Sequence, residues 1–81
     1  MSLVELTEFI VKNLVTDPDS VSVREFDSEE DYKIIEVIVS EDDIKKVIGK
    51  NGRIANAIRT VVQASSYANN DKKVKINIDS L

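Results

Sequence analysis

With 81 residues, a net charge of −4, no cysteine and no histidine, the chain is sized for one small domain without disulfide staples. That composition excludes metal sites built on thiolate or imidazole and removes the commonest general base. No apolar run approaches the ~20 residues that span a bilayer, and Met1-Ser2-Leu3-Val4-Glu5 lacks the basic start of a secretory signal, so a cytoplasmic protein is expected.

Ser2-Leu3-Val4-Glu5 reads as a capping box, in which the serine hydroxyl accepts an amide three residues on and the glutamate reaches back. Leu3, Leu6, Ile10 and Leu14 follow at helical spacing, widened by Phe9 and Val11. The helix is predicted over roughly residues 3–15 and should stop before Asp17-Pro18, because a residue preceding proline is driven out of the helical region. Ser20 to Phe26 alternates through Val21 and Val23 and predicts a strand, and Asp27 to Asp31 is a polar hairpin tip. Tyr32 to Val39 is β-branched and almost continuously apolar, which suits a central strand. Its residues Ile35, Val37 and Val39 are assigned to the helix-covered face, and Ile34 and Ile38 to the opposite one.

Ser40 then reads as the N-cap of a second helix whose first turn holds Glu41, Asp42 and Asp43, with Asp43 at N3. That helix is short, ending after Ile44, Val47 and Ile48 at Gly49. Residues 49–52 separate it from a third helix running from about Arg53 to Tyr67, with Ile54, Ile58, Val61 and Val62 as its buried stripe. Asn69-Asn70-Asp71 is a turn, and residues 72–79 form a last strand with Val74, Ile76 and Ile78 on one face. The order α-β-β-α-α-β predicts an α+β fold. The first two strands make an antiparallel hairpin, and the last joins the second in parallel through a two-helix crossover. The result is a three-stranded mixed sheet with helices on one face, forming one domain over residues 1–81.

The charge is divided unevenly. Met1 to Asp43 carries 13 acidic and 3 basic residues, Ile44 to Leu81 carries 2 and 8, and no carboxylate side chain lies between Ile44 and Asn70. The asymmetry fits either two differently charged solvated faces or a polyanionic partner for the second half. Within that half, Ile48-Gly49-Lys50-Asn51-Gly52-Arg53 is the segment whose residues suit chemistry rather than folding. The glycines let a ligand approach the main chain closely, the following helix start favours phosphate, and Lys50 and Arg53 add full charges. Taken alone, G-x-x-G is a weak pattern that also fits a plain connector with a glycine C-cap.

With Val47-Ile48 before it and Ile54 and an Ala/Ile-rich helix after it, this segment resembles the core of a KH domain, and the element order resembles the type II arrangement. The match covers nearly the whole chain. Glu41-Asp42-Asp43-Ile44 onward to Arg53 is similar to the corresponding stretch of the small single-domain bacterial KH proteins, the KhpA or YlqC family. The resemblance implies that a single RNA strand of about four nucleotides is clamped between the G-x-x-G loop and a shallow groove. Gly49, Lys50, Asn51 and Gly52 would then hold the backbone, with Arg53 and Lys46 supplying charge. Ile48 and Ile54 would form an apolar floor, a role that ordinary core packing would explain equally well. The final strand near Lys73-Val74-Lys75-Ile76 would form the far wall. The family also implies an RNA chaperone or post-transcriptional regulator acting as a homodimer or beside another KH-containing RNA-binding protein. An apolar surplus at Val61, Ala64, Tyr67 and Ala68 offers a surface for such a contact.

Overall acidity and only four scattered aromatics argue against platform-type base readout and for weak, unselective binding. The alternative is an adaptor that keeps the fold and binds protein instead. Glu29-Glu30-Asp31 and Glu41-Asp42-Asp43 read as a solvated tip and a helix start rather than metal sites. Ser65-Ser66 has no histidine, no Walker A pattern exists, and no constellation suggests an enzyme or a cofactor.

Overall fold

A computed structural model describes all 81 residues. Helix α1 spans Leu3–Lys12, strands β1 and β2 span Ser22–Asp27 and Tyr32–Val39, helices α2 and α3 span Ile44–Ile48 and Arg53–Ala68, and strand β3 spans Lys73–Ser80. The expected α-β-β-α-α-β order is therefore present. β1 pairs antiparallel with β2 from Ser22↔Ile38 to Asp27↔Lys33. β2 pairs in parallel with β3 from Tyr32↔Lys73 to Val39↔Ser80, placing the most apolar strand in the middle.

The helix-covered face is the one anticipated. Ile35, Val37 and Val39 are fully buried, and Val74 and Ile76 join them against Leu3, Val11, Val47, Ile58 and Val62. Ile34 and Ile38 lie half-buried on the other face, beside exposed Lys73, Lys75, Asn77 and Asp79 of β3.

Three local expectations are corrected. The capping box forms, with Ser2 Oγ accepting from Glu5 N–H and Glu5 accepting from Ser2 N–H, each at 3.0 Å. Yet α1 ends at Lys12, well short of the proline. There Leu14 N–H donates to Val11 O in a tightened last turn, and Asn13 Nδ2 donates to Phe9 O. The amides of Thr16 and Asp17, which a longer helix would use, donate instead to the Asp43 carboxylate at 3.0 Å. β1 likewise starts at Ser22, because Pro18–Ser20 forms a single tight turn closed by Ser20 Oγ donating to Asp17.

The second correction concerns the start of α2. Ser40 stands in extended N-cap geometry, but its hydroxyl donates to Asp43 Oδ2 rather than accepting an amide. A tight turn over Glu41–Asp43 precedes the helix, and Asp43 is fully buried. In α3, finally, the stripe facing the sheet is Ala55, Ile58, Val62 and Ser66. Ile54 is half-buried and Val61 is 47 % exposed, because the α1-facing side of α3 is only partly covered.

Candidate nucleic-acid interface

The turn between α2 and α3 is built from left-handed backbone. Gly49 has φ 76°, Asn51 φ 58° and Gly52 φ 74°, a region where L side chains other than Asn and Asp are strained. Gly49 N–H donates to Lys45 O at 2.9 Å and closes α2, and Gly52 N–H donates back to Gly49 O at 3.2 Å. The two glycines are needed for different reasons. A Cβ on Gly49 would stand 2.7 Å from Ile54 Cγ1, whereas one on Gly52 would meet only Asn56 Nδ2 at 3.9 Å. The first lies against a side chain and the second lies open.

α3 starts at Gly52 without any side-chain cap, so its positive end faces the turn uncovered. Lys50, Asn51 and Arg53 are exposed around it. Lys45, Lys50 and Arg53 take part in none of the five ion pairs. Lys46 is different: its ammonium lies 3.4 Å from Asp43 Oδ1, so part of its charge is already matched. Asp43 itself accepts from Thr16 N–H, Thr16 Oγ1, Asp17 N–H and Ser40 Oγ. These donors, the Thr16 amide foremost, hold its carboxyl well below the usual carboxylate range. Its carboxylate is fully buried, and its amide donors come from the connector after α1.

The structure brings Ile48, Gly49 and Lys50 together with Ile44 and Lys45 around a shallow depression of about 330 Å³. Ile54 lies on the other side of Gly49, wedged beneath it and lining, with Arg53, the apolar groove between α1 and α3. The two isoleucines anticipated as one floor thus flank the turn rather than share a surface.

From the turn a polar ridge runs along α3. Asn56 sits beside Gly52, Arg59 Nη1 donates to Asn56 Oδ1 at 3.1 Å, and Arg59 Nε donates to Ile76 O at 3.4 Å. Gln63 Oε1 accepts from Val74 N–H at 2.9 Å. β3 is an edge strand, so the backbone groups of Val74 and Ile76 that alternate away from β2 face a cleft of about 530 Å³ lined also by Arg59, Gln63, Tyr67 and Lys75. The far wall expected at Lys73-Val74-Lys75-Ile76 thus stands opposite α3. Arg59 and Gln63 were not singled out from the sequence. The one signal available was two long polar residues four apart on α3, beside the buried stripe and on its β3 side.

The chain resembles known proteins over nearly its full length. Residues 4–78 match the family model "KhpA/KhpB, KH domain". The RNA-binding protein KhpA of Clostridium perfringens is 53% identical over 74 residues, covering 91% of this chain and 96% of that protein. The KhpA proteins of Clostridium acetobutylicum and Borreliella burgdorferi are 47% and 43% identical, covering 91% and 93% of this chain and 96% and 89% of theirs. Among solved structures, Aquifex aeolicus Era bound to GDP.AlF4- superposes with a TM-score of 0.71 at 16% identity. That match covers 98% of this chain and 30% of Era. Era in complex with MgGDPNP and nucleotides 1506-1542 of 16S ribosomal RNA superposes with a TM-score of 0.68 at 18% identity, over 96% of this chain and 29% of that one. At such identities the likeness is one of fold.

Proposed function

The chain belongs to the KhpA/KhpB family of KH domains, and from that premise we propose that it holds short single-stranded RNA through the Gly49–Arg53 turn, without catalysing a reaction. The phosphates lie against the turn and the positive start of α3. Lys45, Lys50 and Arg53 supply charge, Ile48 offers apolar surface to a base, and Ile54 supports the turn from behind. Lys46 is a weaker contributor, since Asp43 shares its charge. The observation that carries the reading is a left-handed turn bordered by exposed cations, with the carboxylate nearest to it in the sequence, Asp43, fully buried. A chaperone or post-transcriptional regulator in the cytoplasm is the role that fits. No helix is long and apolar enough to cross a membrane.

The test replaces Lys50 and Asn51 together with aspartate and measures binding to cellular RNA at two salt concentrations, with helicity checked by circular dichroism. Three cations on phosphates predict a log–log salt slope near −2 for the wild type, at about 0.7 per contact on single strands. The variant should lose most binding. If both proteins retain the same RNA equally, the turn is not the site.

The protein is further proposed to act as a homodimer or beside another KH-containing protein. The groove between α1 and α3 supports this, since Phe9 is 62 % and Val61 47 % exposed on its rim. An adaptor without RNA binding would keep this groove and be unaffected by the aspartate substitutions.

A further inference from the structure

Resting on that reading, we propose that the RNA path continues beyond the α3–β3 cleft, over the free edge of β3, onto the outer face of the sheet. There Tyr32 provides a stacking surface and Lys73 and Lys75 hold phosphates. No aromatic cluster is visible in the sequence, but the register creates one local platform. Tyr32 lies opposite Lys73 and Ile34 opposite Lys75 across the β2–β3 pair, and Phe26 lies opposite Ile34 on β1. Lys75 Nζ stands 5.4 Å from the centroid of the Tyr32 ring. An ammonium at an aromatic face is the arrangement in which a base stacks while its phosphate is neutralised.

Continuity with the first site comes from Lys75, which lines two clefts. One is the α3–β3 cleft already described, and the other is a depression of about 460 Å³ formed with Glu30, Asp31, Tyr32 and Lys73. A strand leaving the turn along Asn56, Arg59 and Gln63 reaches Lys75 at the sheet edge and needs only to pass over it. The neighbouring lysines are already engaged: Lys72 lies 3.7 Å from Asp31, and Lys33 lies 2.7 Å from Asp71. Lys73 and Lys75 have no carboxylate partner, although both are exposed. The acidic members of the depression are Glu30 and Asp31. Asp31 is met by Lys72, and a carboxylate beside a stacked base accepts from an exocyclic amino group.

A protein strand added to the edge of β3 is the competing occupant. The structure favours RNA, because Gln63 and Arg59 already occupy Val74 N–H and Ile76 O, two of the groups such a strand would pair with.

The experiment compares mixed-sequence single-stranded RNAs of four and ten nucleotides by fluorescence anisotropy, using the whole chain. The wild type should favour the longer RNA by ~tenfold or more, the gain expected from one stacked base and its phosphates. Tyr32→Leu should collapse that ratio and Tyr32→Phe should preserve it. Lys73→Glu with Lys75→Glu should also collapse it and flatten the ten-nucleotide salt slope by about 1.4. Circular dichroism checks that each variant folds. A wild type with no length advantage, or an advantage unchanged by Tyr32→Leu and by the double lysine variant, overturns the inference. So does a double lysine variant that keeps the advantage but loses self-association by sedimentation. The Lys50 and Asn51 aspartate variant separates the two claims: undiminished binding of the four-nucleotide RNA there defeats the turn reading, whatever the sheet face does.

Discussion

At Gly49 two constraints fall on one residue. Its φ of 76° is unfavourable for a side chain, and the space a Cβ would need is filled by Ile54. Gly52 has a similar φ but open surroundings. Gly49→Ala should therefore cost about 3 kcal/mol, from strain and overpacking together, and Gly52→Ala about 1 kcal/mol from conformation alone. Urea denaturation of the two variants measures the difference, and equal losses would contradict the close approach. Asp43 is the other residue whose surroundings make a sharp forecast. Its carboxyl is more acidic in the folded chain than in the unfolded one. The stability it contributes is thus complete above the ordinary aspartate range near pH 4 and drains away as pH falls through the lower folded value. Asp43→Asn presents an amide donor where Thr16 and Asp17 both need acceptors. Thermal melts should show a midpoint ~10 °C lower at neutral pH and a flatter decline between pH 4 and 2. A variant with the same acid slope as the wild type would place the titrating group elsewhere. Sequence alone hid this residue, because a third acid in a helix's first turn looks the same whether it faces water or the interior.

Elements were legible wherever one face is buried by a regular period. Tyr32 to Val39 announced a central strand, and its alternate residues lie on the assigned faces, because a one-residue slip would put Ile35 and Val37 in water. α3 was legible as a helix but not in its rotation. Ile54 and Val61 look as apolar as Ile58 and Val62, and only the packing of small Ala55 and Ser66 against the sheet decides which side faces inward. Ser66 gains its place by donating to Lys72 O at 2.6 Å, a bond no periodicity reveals. The edge of β3 is similar: Val74 N–H and Ile76 O on its free side are met by Gln63 and Arg59 of α3 rather than by another strand. Gln63→Leu leaves Val74 N–H without its acceptor and should destabilise by about 1–2 kcal/mol, with faster amide exchange at Val74. Unchanged exchange there would mean that water serves equally well.

Over the whole molecule, the uneven charge read from the sequence becomes a spatial pattern. Three of the five ion pairs join the acidic first half to the basic second half: Lys33–Asp71, Lys46–Asp43 and Lys72–Asp31. In the second half, Lys45, Lys50, Arg53, Arg59, Lys73 and Lys75 remain without carboxylate partners. They border the turn, the α3–β3 cleft or the sheet edge beyond it. Net acidity thus coexists with a cationic track because residues 44–81 carry only two acids, Asp71, which is paired with Lys33, and Asp79. The α1-facing side of α3 carries the apolar rim, and the proposed association there would touch Arg53 but none of the other cations of the track. Val61→Glu should shift sedimentation toward the monomer while four-nucleotide RNA binding persists. An unchanged mass would remove the rim as the contact.

The reach of Asp43 also bears on portability. Anyone transplanting the β2-α2-α3-β3 portion into another scaffold would carry over an anionic side chain whose amide donors belong to residues more than twenty positions upstream, at Thr16 and Asp17. The graft would inherit a carboxylate a few residues before Gly49 that keeps only Ser40 and Lys46 of its partners, so a working transplant has to include the connector after α1 as well as the turn.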